Sequence, residues 1–199
     1  MFKNILISIK PEFVEKILNH TKTIEIRKTK PSCELPVKVY IYCTIGKKNQ
    51  LLAKDNSTGK YRLWYGTYNE LNGKVVAEFT LNQVDTVEIC DPCVLRNGEQ
   101  QDWHWFKSNA CLDSEEMMSY IGYGDDHDGW GSEYAKGYAW HIDDLKIYDK
   151  PKELSEFKHW VVDCQGWCNK KNKAENVYVL EELKRPPQSY MFVETLEEV

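Results

Sequence analysis

His20-Thr21-Lys22-Thr23-Ile24-Glu25-Ile26-Arg27 is the stretch from which the rest of the chain can be read. The β-branched residues at 21, 23, 24 and 26 favour an extended backbone. Strict alternation puts Ile24 and Ile26 on one face and Thr23, Glu25 and Arg27 on the other. The first face is apolar and suits a core. The second brings a carboxylate and a guanidinium side by side. Lys22 stands at the start of the strand, where a turn can break the alternation, so its direction is left open.

Working outward, Ile5 to Ile9 reads as a short strand. Lys10-Pro11 opens a helix, since a Pro at the first helical position loses no needed N–H. Phe13, Val14, Ile17 and Leu18 share one helical face, and Asn19-His20 ends the helix. Pro31 and Pro36 mark a loop before a strand from Val37 to Tyr42. Residues 46–62 are polar and basic and read as a surface loop. Asn72-Gly73 signals a turn, and Lys74 to Val87 follows as a long strand or a bent strand pair. Residues 90–134 read as an insertion, with a helix near Asp113 to Tyr120 whose Asp113 and Glu116 are spaced as a capping box. A Gly/Asp-rich loop runs from Gly122 to Gly131. Tyr138 to Tyr148 returns to alternation, and Lys150-Pro151 opens a helical stretch through Phe157. Residues 163–176 form a polar, variable loop, and Pro186-Pro187 leads to a last strand, Tyr190 to Thr195. Short strands with few helices predict an α+β domain spanning 1–199, not a parallel α/β sheet.

The composition fits this reading. The chain has 199 residues, 42% of them hydrophobic, which is enough for one real core. Met1 to Asn4 leads into a short apolar run that does not resemble a signal peptide, and no stretch approaches a membrane span. The expectation is a soluble, cytoplasmic protein. Seven cysteines, an odd number, fit reduced thiols. The net charge of −5, taken alone, argues against a nucleic-acid binder. The distribution differs from the sum. Residues 1–62 hold 13 Lys+Arg against 5 Asp+Glu, a net of +8, and the remainder carries −13. A basic first third can present a phosphate-attracting face.

Ser8-Ile9-Lys10-Pro11-Glu12-Phe13, a helix, and then Lys22 to Arg27 resemble the opening of an ASCH domain of the PUA-like superfamily. The family pattern is Gly-x-Lys-x-x-Glu-x-Arg. Lys22, Glu25 and Arg27 match it, and His20 stands where the family has Gly. His tolerates a left-handed backbone better than most non-Gly residues. Gly73 to Phe79 resembles the family's middle strand. Tyr138 to Leu145, Tyr148 to Pro151, and Arg185 to Ser189 resemble segments of bacterial and phage versions. The resemblance implies a PUA-like mixed β-barrel with flanking short helices, and an RNA or modified-nucleotide ligand. One bacterial branch removes acetyl groups from N4-acetylcytidine, using a Lys, a Thr three residues later and a Glu elsewhere. Here position 25 is Glu. Recognition is therefore the leading expectation. An amidohydrolase or ribonuclease using the same cleft is the alternative, and a protein-interaction domain of phage or prophage origin is a further one.

The chemistry of the signature suits either of the first two roles. Arg27 can grip a phosphate or a base edge through its planar fork. A desolvated Lys22 can act as base or nucleophile, and Glu25 can shuttle a proton. Lys22 and Glu25 are thus the catalytic candidates, against the plainer reading of an ion-pair ladder. Lys10, Arg27, Trp140, His141 and Arg185 are the candidates for RNA or nucleotide binding. Trp140 can stack on a base or simply fill the core, and His141 can titrate near neutrality. Ser8 lies beside Lys10, while Gln188 and Ser189 can close one side of the cleft.

No cofactor is expected. Cys90-x-x-Cys93 and Cys164-x-x-x-Cys168 supply four thiols that can build a tetrahedral structural zinc site. Their long separation and the unusual second spacing make reduced cysteines the simpler reading. Asp125-Asp126-His127-Asp128-Gly129 looks metal-like, but it fails the calcium-loop template and reads as an exposed acidic loop.

Overall fold

The computed structural model describes residues 4–46, 50–64, 71–90, 93–121, 134–162 and 178–195. The chain runs through β1 (Asn4–Ile9), α1 (Pro11–Leu18), β2 (Ile24–Arg27) and β3 (Val37–Cys43). A hairpin follows, β4 (Leu51–Lys54) and β5 (Tyr61–Trp64). Next come β6 (Val75–Leu81), β7 (Val84–Cys90), β8 (Cys93–Arg96) and β9 (Glu99–Gln101). Helices α2 (Trp103–Ala110) and α3 (Ser114–Ile121) precede β10 (Tyr134–His141), β11 (Asp143–Lys152) and β12 (Phe157–Val162). Strands β13 (Tyr178–Glu182) and β14 (Tyr190–Thr195) complete the described elements.

Every residue of β1 is buried. Such a strand must lie in the middle of a sheet covered on both faces. It pairs in parallel with β3 and antiparallel with β14. The full order of this seven-stranded sheet is β11-β6-β3-β1-β14-β12-β13. A second, five-stranded sheet has the order β2-β10-β7-β8-β9. Two bends join the sheets. β6 becomes β7 across Asn82 and Gln83, and β10 becomes β11 across Ile142. The bends sit at one level, where the His141 N–H donates to the Gln83 carbonyl at 3.1 Å. The expected bent strand pair at 74–87 is thus present. The alternation from Tyr138 to Tyr148 is two strands in different sheets.

Each sheet has its own core. Val14, Ile17 and Leu18 of α1 pack with Ile5, Ile7, Val39, Ile41 and Phe79 of the larger sheet. Ile24 and Ile26 of β2 pack with Val87, Ile89, Ala139, Phe106 and Met117 beneath α2 and α3. Each fully buried side chain of the Val, Leu, Ile or Phe type contributes about 1.5–3 kcal/mol. Phe13 touches both cores and so bridges them. Residues 93–121 are thus structural partners of the second sheet. The box expected at α3 is made: Glu116 N–H donates to Asp113 Oδ1 at 2.8 Å, and Asp113 N–H to Glu116 Oε2 at 3.1 Å.

The domain is α+β and β-rich, and the described strands form two sheets and a hairpin, among which a closed barrel is not seen. Two other expectations are corrected. Residues 51–64 are the β4–β5 hairpin, not a surface loop. Leu52, fully buried, pairs with Leu63 and rests against the core of α1, while the polar residues lie in the turn. Asp55 holds that turn by accepting from Ser57 and Thr58. Lys150-Pro151 does not open a helix. β11 continues to Lys152, with Pro151 in an irregular part of the ladder where its missing donor is not required. A single 3-10 turn follows at Leu154–Glu156. The acidic 122–131 loop and the 163–176 stretch lie outside the described residues. No helix among the described residues is long and apolar enough to cross a membrane.

Candidate functional site

The turn before β2 is built by the backbone. His20 adopts φ 58°, a left-handed conformation at the position where the resembling family has Gly. The N–H groups of Thr21 and Lys22 both return to the Lys16 carbonyl. Thr23 then anchors the strand to α2, its N–H donating to the Asn109 carbonyl and its hydroxyl to Asn109 Oδ1. This leaves Lys22 no freedom to point outward.

Lys22, Glu25 and Arg27 are only 2%, 7% and 4% exposed. Lys22 Nζ donates to the Ala110 carbonyl at the end of α2 and lies 3.3 Å from Glu25 Oε2. It also sits 5.3 Å from the Phe13 ring centre. Arg27 holds the other carboxylate oxygen, with Nη2 3.0 Å from Glu25 Oε1. The same nitrogen donates to the Ser8 carbonyl at 2.8 Å, and Nη1 reaches the Ser189 hydroxyl at 3.4 Å. Arg27 Nε is buried with no hydrogen-bond partner among the described residues. Glu25 therefore stands between two cations, and one guanidinium N–H is left over.

The electrostatics follow from burial. Removal from water lowers the Lys22 pKa, and the neighbouring Glu25 carboxylate opposes this. Burial also raises the pKa of Tyr120 on α3, and the nearby Arg27 charge opposes this. Its ring lies 6.0 Å from Lys28 Nζ. Tyr120 is 39% exposed, so it stands at the outer edge of the site.

The other candidates distribute differently. Ser8 joins the site: its hydroxyl donates to the Pro187 carbonyl at 2.7 Å, and Ser189 meets Arg27. Lys10, Arg185 and Gln188 are exposed and make no contact with the triad. Trp140 is 0% exposed and packs edge-on against Tyr190, with its Nε1 donating to the Thr29 carbonyl. It is core and has no face for a base. His141 lies on the opposite face of β10 from Trp140, and its Nε2 is 2.7 Å from Asp85 Oδ2. Cys93 is half-buried, while Cys164 and Cys168 lie outside the described residues. Among the described residues no group of His, Cys, Asp or Glu is arranged to hold a metal ion.

A second charged cluster surrounds Asp85, which is 1% exposed. Gln83 and Asn97 donate to its Oδ1 at 2.7 and 2.8 Å, and Arg96 Nε to its Oδ2 at 2.6 Å, beside His141. Burial raises its pKa, but the four partners outweigh burial and hold it well below the usual carboxylate range. Asp85 alternates in phase with Val87 and Ile89, so a charge on an apolar face was the available signal. Tyr120 and the Ala110 carbonyl carried no such mark, because only the tertiary fold brings them to β2.

Gly137 locks α3 against the site. A Cβ there would meet Ile121 Cδ1 at 2.8 Å, Ile121 Cγ1 at 3.0 Å and the Arg27 carbonyl at 3.2 Å. Gly137→Ala should cost about 1–3 kcal/mol by overpacking, measured by urea unfolding. Adding Ile121→Val should recover part of the loss, and no recovery would disprove the contact as its cause.

With the geometry described, the fold can be compared with known proteins. No family model and no curated protein matches the sequence. The crystal structure of ASCH from Zymomonas mobilis matches with a TM-score of 0.52 at 19% identity, covering 98% of this chain and 90% of that one. Two mutants of that protein, one Tyr-to-Phe and one Ser-to-Ala, give TM-scores of 0.47 and 0.49 at 17% identity. At such identity the first likeness speaks for the fold alone.

Proposed function

We propose, taking the ASCH fold as premise, that this chain recognises RNA or a modified nucleotide beside the Lys22–Glu25–Arg27 strand. The observation that carries this reading is the leftover demand of the triad. Two cations and one carboxylate are closed away from water, and Arg27 Nε has no partner among the described residues. A buried ion-pair set is weak evidence for a stabilising role, because apolar residues of similar volume often serve as well or better. An electron-rich group would satisfy the spare donor and balance the excess positive charge. A phosphate or a base edge has that chemistry. The basic first third of the chain, +8 over residues 1–62, favours an anionic polymer over a neutral metabolite.

A second reading rests on Lys22. Burial lowers its pKa, which raises the share of free amine, the form needed for a base or nucleophile, and Glu25 is placed to exchange a proton with it. This is the hydrolase alternative, acting on an N4-acylated cytidine or on RNA.

The two are separated by incubating the protein with a mixed RNA pool and with N4-acetylcytidine. Recognition predicts salt-dependent RNA retention without turnover, weakened about tenfold or more in Arg27→Gln. Turnover of either substrate that disappears in Lys22→Ala would replace recognition by catalysis. Neither retention nor turnover would defeat both and favour a protein-interaction role.

A further inference from the structure

We infer that the β8–β9 hairpin carries a second ligand site, selective for a guanine base, around Arg96 and Glu99. The two residues are directly paired across the hairpin, so their side chains share a face. Opposite charges placed so would ordinarily close on one another. Here they do not. Arg96 turns to Asp85, donating through Nε at 2.6 Å, and its guanidinium lies 4.6 Å from the Trp105 ring centre. Its two terminal nitrogens have no hydrogen-bond partner among the described residues. The Glu99 side chain likewise makes no hydrogen bond or ion pair among them. Between them is a hollow of about 310 Å³ lined by Arg96, Asn97, Glu99 and Gln101.

The arrangement is built to hold its shape. Asp85 is 1% exposed and fastened by four partners, so Arg96 is held from behind as well as across its face. The Asn97 amide is already committed: Nδ2 donates to Asp85, and Oδ1 accepts from Thr86. It therefore fixes the turn and leaves recognition to Arg96 and Glu99. A guanidinium fixed in this way gives up little freedom on binding.

The chemistry of the pair selects the ligand. A carboxylate at the rim repels a free phosphate group, so the occupant needs donors as well as acceptors. Guanine alone among the common bases offers both in pairs. Its O6 and N7 accept from an arginine fork, and its N1–H and N2–H₂ donate to a carboxylate. Adenine presents a donor amino group beside N7 and lacks the donor pair. The hollow lies near the lower end of ligand-site volumes, about 300–1,000 Å³, which suits a single base. The site is on the opposite face of the second sheet from the Glu25 side chain and does not depend on the triad's role.

The test is a titration of the full chain with GMP, AMP and CMP, followed by calorimetry and tryptophan fluorescence. GMP should bind at least about tenfold more tightly than AMP or CMP, the scale of one good bidentate contact. Glu99→Gln, an exposed substitution that leaves Asp85 and Arg96 paired, should abolish most of that preference. Lys22→Ala should keep it. A wild-type protein with no guanine preference would overturn the inference. So would a preference that survives Glu99→Gln but is lost in Lys22→Ala, since guanine would then occupy the triad site. Short RNAs that differ only in one G or A distinguish a guanosine within RNA from a free nucleotide.

Discussion

Replacing Glu25 by Gln is expected to lower stability by about 3–5 kcal/mol, the range for removing one partner from a buried ion pair. The substitution keeps the volume and removes the carboxylate that pairs with both Lys22 and Arg27. The two cations, 2% and 4% exposed, would then face each other with little access to water. Urea unfolding should show a lower midpoint with an unchanged slope, the mark of lost stability without a changed unfolded state. Lys22→Met in the same chain should return much of the loss, and a double-mutant cycle measures the coupling. A cost unchanged in that background would mean that Lys22 and Glu25 act independently.

Lys22 also gives this prediction a pH dependence. Its pKa in the folded chain is lowered from the ordinary 10.5, chiefly by burial. Between the lowered value and 10.5, the unfolded chain holds a proton that the folded chain has released. Stability therefore rises with pH across that window. Below it both states hold the proton, and the full cost of burying the ammonium is present. Lys22→Met should lack the rise.

Asp85→Asn is expected to cost about 3 kcal/mol near neutral pH, from weakened charged hydrogen bonds and donors left without an acceptor. Gln83, Asn97, Arg96 and His141 all converge on this carboxylate, and one amide oxygen cannot serve them all. The pH dependence runs opposite to that of Lys22. The folded pKa of Asp85 lies below its ordinary 3.8, so its contribution is complete above that value. It is lost as pH falls through the folded value. The gap between wild type and variant should be flat above about pH 5 and close in acid. A gap that persists unchanged at the lowest accessible pH would show that the charge is not its source.

The readable part of this molecule was local. Ile24, Glu25, Ile26 and Arg27 alternate because a strand has period two, and neighbours cannot change that. The left-handed turn at His20 was indicated only by the resemblance, the family having Gly at that position. Lys22 was not readable, since its direction is set by Ala110 and Phe13, which only folding delivers. The β4–β5 hairpin was masked by its own turn: four polar residues around Asp55 outweighed two short apolar pairs. Trp140 carried no distinguishing mark, because a tryptophan that fills a core and one that stacks on a base look alike in sequence. Burial of its whole ring decided between them. Asp85 is marked in the sequence as a charge in step with Val87 and Ile89.

The pairing of β1 with β14 bears on when the site can come into being. Ser8 meets Pro187 across 179 positions of chain, and Arg27 reaches Ser189 across 162. Contacts of such separation form late and slowly, because the intervening chain must first be brought together. On the ribosome, β1, α1 and β2 emerge long before their closing strand, at about 5–20 residues per second. For those seconds the fully buried strand β1 has α1 and β3 to pack against, and its β14 edge is bare. The nascent chain thus leaves that edge open to aggregation until β14 is made, and the contacts of Ser8 with Pro187 and of Arg27 with Ser189 cannot form before then.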